Sequence, residues 1–206
     1  MAGKVFFSVS MSLDGFIAPD SLGELMGPQW MELQAWVFPQ RFFRENLKFG
    51  EGGEEGRDND ILRETFERTG ASVMGKRMFD AGEQMWPEEA PFHTPVVVVT
   101  HEKRDPWERP GGTTFTFVND GIKAALDQAR EAADDRDVRI AGGGETILQY
   151  LNAGLIDEFS VAVSPVLFGA GVRLFEGVDA ARVALKPVRS EPSPRATHLT
   201  YAVHPR

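Results

Sequence analysis

The 206-residue chain contains no cysteine. That excludes disulfides, thiolate catalysis and any cysteine-ligated metal. Histidine is scarce: there are four, and none stands at the His-x-x-x-His spacing of a helical metal site, so no metal is expected. No apolar run approaches the roughly 18–20 residues of a membrane span. The start, Met1-Ala2-Gly3-Lys4-Val5-Phe6-Phe7, passes straight into a strand-like run without the charged start, apolar middle and cleavage site of a secretory leader. A cytoplasmic location is therefore the default expectation. Positive charge is in deficit, with 22 Lys and Arg against 31 Asp and Glu. A net charge of −9 disfavours a protein that grips nucleic acid over its whole surface. There is no Gly-x-Ser-x-Gly elbow and no internal repeat, which leaves an esterase triad and a repeat architecture without support.

Hydrophobic residues make up 42% of the chain, enough for a sizeable core. The reading is a single α/β domain over 1–206, with a mostly parallel central sheet, helices on both faces and an antiparallel C-terminal hairpin. Lys4 to Ser10 reads as a buried strand, followed by the turn signal Asp14-Gly15, with Gly15 expected at positive φ. Residues 19–58 break the strand–helix rhythm and read as an insertion. Trp30, Trp36, Phe38, Phe42 and Phe43 there are spaced like a partly helical apolar layer, and 51–60 reads as an acidic, glycine-rich mobile loop. A helix is expected from Asp60, with Asp60 at its N-cap or in its first turn and Gly70 as its stop. Strands follow at 71–74, at 95–100 with four consecutive valines, and at 113–118. Helices are expected at 76–85 and 120–133. A βαβ unit spans 137–164, and 182–190 with 196–204 forms the hairpin.

The most informative stretch is Val138-Arg139-Ile140-Ala141-Gly142-Gly143-Gly144-Glu145-Thr146. A strand ends in three glycines and turns into a helix. With no Cβ in the way, a ligand can lie on the backbone, and the helix N-terminus offers unpaired N–H groups to a phosphate. Met74-Gly75-Lys76-Arg77 is a second strand–glycine–helix junction. Two cations at a helix start oppose the helix dipole unless an anion sits there. Neither junction fits the G-x-G-x-x-G or Walker pattern. The plainer alternatives are a tight connection and a solvated basic turn. Two such junctions in one domain favour a dinucleotide site. Thr100 and His101 close the valine strand beside Lys103 and Arg104, a local basic cluster that would suit a phosphate.

Four segments, Ser10-Met11-Ser12-Leu13-Asp14-Gly15-Phe16-Ile17-Ala18, Met74-Gly75-Lys76-Arg77, Ala141-Gly142-Gly143-Gly144-Glu145-Thr146 and Ser164-Pro165-Val166-Leu167-Phe168-Gly169-Ala170-Gly171, resemble the dihydrofolate reductase superfamily in its riboflavin-biosynthesis branch, the RibD C-terminal-like domain. The resemblance implies a three-layer αβα fold and NADPH as hydride donor. Ser10, Ile17 and Ala18 would lie along the nicotinamide, beneath a loop carrying the Asp14-Gly15 turn. Gly75 belongs to the second junction. Lys76 would face the adenosine 2′-phosphate, and Arg77 with Met78 would start the helix under the pyrophosphate. Thr100 and His101 would border the adenosine. Gly142, Gly143, Gly144, Glu145 and Thr146 would carry the pyrophosphate contacts. Glu145 stands where classical folate reductases often have a cation, and its charge repels a 2′-phosphate.

On the substrate side, Asn59 or Asp60 falls where folate reductases carry the ring-anchoring carboxylate, though Asp60 is equally an N-cap. Ser164 and Pro165 would border the substrate. The implied reaction is hydride transfer to a pyrimidine- or pterin-like compound, as in 5-amino-6-(5-phosphoribosylamino)uracil reduction. No catalytic acid is assigned. The bifunctional enzymes of that pathway carry a zinc deaminase domain ahead of the reductase, for which this sequence has neither the length nor the cysteines. A homodimer paired through sheet edges is also implied, with the Pro192/Pro194 hairpin contributing. The competing reading is a non-catalytic nucleotide- or small-ligand-binding protein on the same fold.

Overall fold

A computed structural model describes residues 3–206. Met1 and Ala2 lie outside the described residues. In chain order the elements are β1 (Val5–Ser12), β2 (Phe16–Ala18), α1 (Pro28–Leu33), α2 (Arg41–Asn46), α3 (Arg57–Arg68), β3 (Thr69–Gly75), α4 (Lys76–Glu83), β4 (Val96–Val99), β5 (Trp107–Arg109), β6 (Thr113–Val118), α5 (Gly121–Ala133), β7 (Asp137–Gly142), α6 (Gly144–Asn152), β8 (Glu158–Ser164), β9 (Val172–Arg173), β10 (Val183–Pro192) and β11 (Thr197–Pro205).

Nine strands form one sheet in the order β10-β11-β8-β1-β7-β3-β4-β6-β5. The six from β8 to β6 run parallel, and each end of the sheet is antiparallel. β2 and β9 pair separately as a small ribbon. The alternation along β1 explains how the layers form. Val5, Phe7, Val9 and Met11 face α5 and α6 and join the main core with Val73, Val97, Ile140, Ile147 and Phe159. Phe6 faces the opposite way, with the guanidinium of Arg68 on α3 over its ring at 4.1 Å. Beyond Phe6 that second face of β1 is Ser8, Ser10 and Ser12, in register with Ser160, Ala162 and Ser164 of β8. Buried parallel strands usually carry branched aliphatics on both faces. Here small hydroxyl residues at the carboxyl ends of the strands leave space that the 19–58 segment packs into.

Two local expectations are corrected and one is narrowed to one of its two forms. The 51–60 stretch is not all loop, because α3 begins at Arg57 and already buries Asp58 and Asn59. Gly56 is the N-cap, so Asp60 lies inside the first turn, half-exposed and 3.7 Å from Arg63. Gly70 does not stop the helix but lies in β3. A Cβ there would sit 2.6 Å from the Ala133 carbonyl, so glycine is required by the close approach of the end of α5.

The 19–58 segment packs onto the body. Leu33 and Trp36 are buried, and Trp36 clusters with Leu62, Ala162 and Ala196. Rings of Trp30, Phe38, Phe43 and Phe49 follow one another at 5.6–6.3 Å. The acidic stretch is tied down by a Gln40–Glu54 bridge and by Arg195, whose Nη2 donates to Glu54 at 2.8 Å.

The two edges of the sheet are β5 and β10. β5 has three residues, and β10 carries Pro187, Pro192 and a register shift between Pro187 and Arg189.

Candidate active site

The two glycine junctions meet. β3 and β7 are neighbours, with Met74 opposite Gly142. A Cβ on Gly75 would lie 2.2 Å from Thr146 Oγ1, and one on Gly142 would lie 3.2 Å from Met78 Sδ. A Cβ on Gly144 would lie 2.8 Å from Val172 and 3.3 Å from Ile17. The strand ends, the first turns of α4 and α6 and the β2–β9 ribbon are thus packed around one another.

Gly143 differs from these three. Its φ is −72°, open to any residue, and a Cβ there would meet nothing within 4 Å. The space above it is clear. Gly75 and Gly143 are the N-caps of α4 and α6, and neither helix has a side-chain cap. The first intrahelical bond of α6 is Ile147 N–H to the Gly143 carbonyl, at 3.0 Å. The N–H groups of the first turns are therefore not taken by capping side chains, and the partial positive ends of two helices adjoin one bare stretch of backbone. A diphosphate fits such a cradle.

On the β1 side, the Asp14 turn is latched to the 166–171 loop. The Asp14 carboxylate accepts from Ser12 Oγ at 2.6 Å and from the backbone N–H groups of Phe168 and Gly169 at 3.0 and 2.7 Å. These bonds, that from Ser12 foremost, hold its pKa down to about 2. Gly15 takes the expected positive φ, 94°. Ile17 lies against Gly144, and the Ala18 carbonyl lies against Gly171.

The serine floor is spoken for by the 19–58 segment. Ser10 Oγ donates to Gln34 Oε1 at 2.8 Å and accepts from Trp36 Nε1 at 2.9 Å. Ser164 Oγ donates to the Leu33 carbonyl at 2.8 Å. Asn59 Oδ1 accepts from the Phe42 N–H at 2.7 Å. Each such buried bond contributes roughly 0.5–1.5 kcal/mol. Together they fix the inserted segment against the carboxyl ends of β1 and β8 and the start of α3. Behind it, Asp58 Oδ1 lies 2.6 Å from His198 Nε2, both buried, with the Trp36 ring edge-on to His198 at 4.9 Å. Arg139 lies beneath this floor with its Nη2 donating to the Ser8 carbonyl at 3.2 Å. Burial pushes its pKa down to about 10. It remains charged at neutral pH, so the floor rests on a fixed cation.

On the β4 side, Thr100 is buried and its Oγ1 accepts from the Glu102 N–H at 3.0 Å. His101 is exposed. Lys76 is paired with Asp80 and Glu102, and Arg77 donates to the Asp20 carbonyl.

Of the residues singled out from the sequence, the structure brings together Gly75, Met78, Gly142, Gly144, Thr146 and Ile17 around the open space at Gly143. Ala18 lies on the adjoining ribbon, Lys76 and Thr100 flank the β4 end, and Glu145 is exposed on the first turn of α6. Ser10 and Ser164 lie in the floor but spend their hydroxyls on the inserted segment. Pro165 is exposed beside it. Asp60 is half-exposed, 3.7 Å from Arg63. Sequence reasoning missed Gln34, Trp36, Asp58 and His198, because 140 residues separate the last two and no local pattern joins them. It also missed Asp80, although an acid four residues after Lys76 on a helix is a readable signal.

A parallel α/β sheet with helices on both faces and a double-glycine crevice at its carboxyl edge defines a dihydrofolate-reductase-like protein. The chain belongs to the RibD C-terminal domain family, whose profile matches residues 3–199. Among solved structures it is similar to a protein of Shewanella sp. PV-4 provisionally described as a riboflavin biosynthesis protein. That match has 23% identity and a TM-score of 0.67 and covers 98% of this chain and 99% of that one. It is also similar in fold to dihydrofolate reductase from Enterococcus faecalis complexed with NADP(H) and RAB-propyl, with 15% identity, a TM-score of 0.54 and 98% of each chain covered. In sequence it is 34% identical over 74 residues to the uncharacterized protein YyaP of Bacillus subtilis. That stretch is 36% of this chain and 38% of the relative, so the match spans well under two thirds of the relative's length.

Proposed function

We propose that the protein is a reductase that uses a reduced nicotinamide dinucleotide, NADPH being the form implied by the resemblance, to reduce a pyrimidine- or pterin-like compound. The observation that carries this reading is the clear space over Gly143 between two helix starts without side-chain caps. No packing contact explains a glycine at that position, whereas a pyrophosphate lying on the backbone does. Family membership in the RibD C-terminal domain group supports the same reading. The chemistry of the bound cofactor is hydride donation from the nicotinamide.

The residues present fit such a group. The N–H groups at Gly144, Glu145 and Thr146 would hold the diphosphate. Ile17 and Ala18 would set the nicotinamide edge, and the Asp14 latch would keep that turn closed against water. Trp36, presented by the inserted segment, would bound the substrate. A ribosylamino-pyrimidine of the riboflavin pathway is the first substrate to try. Reduction of its imine form asks mainly for alignment of donor and acceptor, with the proton drawn from water or a nearby acid.

The test is direct. Gly143→Ala should leave the melting curve near that of the wild type and weaken dinucleotide binding, read by quenching of tryptophan fluorescence, about tenfold or more. Oxidation of the reduced cofactor in the presence of a panel of pyrimidines and pterins should then reveal turnover. Binding without any oxidation across the panel would favour the non-catalytic ligand-binding reading.

A further inference from the structure

The two ends of the proposed dinucleotide site differ in charge. A cofactor cradled at Gly143 would have its reacting half toward β1 and β2, where the serine floor and Trp36 would border the substrate. Its other half would then lie toward the first turn of α4 and the end of β4. There Lys76 Nζ lies 2.6 and 2.7 Å from the two oxygens of Asp80 and 3.2 Å from Glu102 Oε2. One cation stands between two carboxylates, and Arg104, paired with Glu83, lies within electrostatic reach of both, so these five groups together carry one negative charge. Asp80 comes from the next turn of α4, on the same face as Lys76. The Glu102 main chain is pinned: its N–H donates to Thr100 Oγ1 at 3.0 Å, and Asn119 Nδ2 donates to its carbonyl at 2.8 Å.

The neighbouring cations are mostly engaged. Arg104 donates to Glu83 at 2.6 Å and lies over the rings of Phe79, Trp107 and Phe117. Arg77 donates to the Asp20 carbonyl. His101 and Lys103 are exposed on the turn, and Glu145 is exposed on the first turn of α6.

Resting on the reductase reading, we infer that this end of the crevice accepts an adenosine ribose without a 2′-phosphate, so that NADH serves at least as well as NADPH, with Glu102 as the specificity-determining residue. A carboxylate accepts hydrogen bonds from ribose hydroxyls, whereas an unengaged guanidinium is what accommodates a 2′-phosphate. A phosphate placed here must compete with Asp80 and Glu102 for the single ammonium of Lys76 and meets their repulsion as well.

The experiment is equilibrium binding of NADH and of NADPH to the full chain, followed by tryptophan quenching at low salt, for the wild type, Glu102→Gln and Asp80→Asn. The wild type should bind NADH as tightly as NADPH or more tightly. Each variant should tighten NADPH about five- to tenfold while NADH stays unchanged or weakens, and added salt should shrink the gain. Asp80→Asn gives an independent reading if Glu102→Gln fails to fold. A wild-type preference for NADPH of about tenfold or more, or variant effects equal for both cofactors, overturns the inference and leaves the reductase reading standing. Failure of the wild type to bind either dinucleotide overturns the reductase reading, and this inference with it.

Discussion

The β3–α4 and β7–α6 junctions look alike in sequence and do opposite things in space. Gly75 is a glycine because a neighbour is in the way: Thr146 Oγ1 occupies the place of its Cβ. Gly143 is a glycine with nothing in the way. The first keeps two helix starts close together. The second keeps a surface bare. A residue type read from sequence therefore names a freedom, and only the surroundings tell whether packing or a ligand uses it.

Substitutions can separate the two roles. Gly75→Ala forces a Cβ onto the Thr146 hydroxyl and should destabilise the fold by about 1–3 kcal/mol in urea melts. Adding Thr146→Ala removes the obstructing oxygen and should restore much of that loss in a double-mutant cycle. If Gly75→Ala melts like the wild type, the two junctions are not in contact as described. Gly143→Ala should reverse the pattern, with stability within about 0.5 kcal/mol of the wild type and dinucleotide affinity down about tenfold. Equal losses of stability and affinity there would make Gly143 another packing glycine.

Gly144→Ala should fall between these two. Its obstacles are the side-chain ends of Val172 and Ile17, which can give way, so we expect a stability loss of about 1 kcal/mol and a small loss of affinity through the displaced Ile17. The smallest effect belongs to Asp14. Its folded pKa of about 2 lies below the ordinary value of 3.8, so its contribution is complete above pH 4 or so and is lost as pH falls toward 2. Asp14→Ala should lower the melting temperature at neutral pH, and the gap from the wild type should close as the solution is acidified. A gap that persists at the acid end would show that the latch does not depend on the charge.

The layer order and both junctions were legible because each depends on local pattern: valines in a row, glycine between strand and helix, and alternation along a strand. The serine face of the sheet was legible too, in Ser8-Val9-Ser10-Met11-Ser12 and Ser160-Val161-Ala162-Val163-Ser164, but it was read only as strand. The 19–58 segment was not readable as packed against the sheet. Its hold on the sheet consists of single hydrogen bonds from Ser10, Ser164 and Asn59 to distant partners, and such bonds leave no periodic trace. The same Ser10 and Ser164 were expected to face ligand. Their residue types fitted either use, and the geometry shows the hydroxyls bound to Gln34, Trp36 and Leu33. Asp60 was placed by counting back from Gly75, and the helix begins at Arg57, so Asp60 lies half-exposed in its first turn near Arg63.

The hydroxyl-lined strands have a consequence for how this crevice changes over time. Serine differs from alanine by one oxygen and from threonine by one methyl. The floor therefore changes in steps of a single heavy atom, at the cost of a hydrogen bond where the hydroxyl holds Gln34, Trp36 or Leu33, while the main chain at Gly142–Gly144 stays in place. On the proposed reading, substrate choice and cofactor grip would sit on separately adjustable surfaces, and a lineage could exchange one while keeping the other.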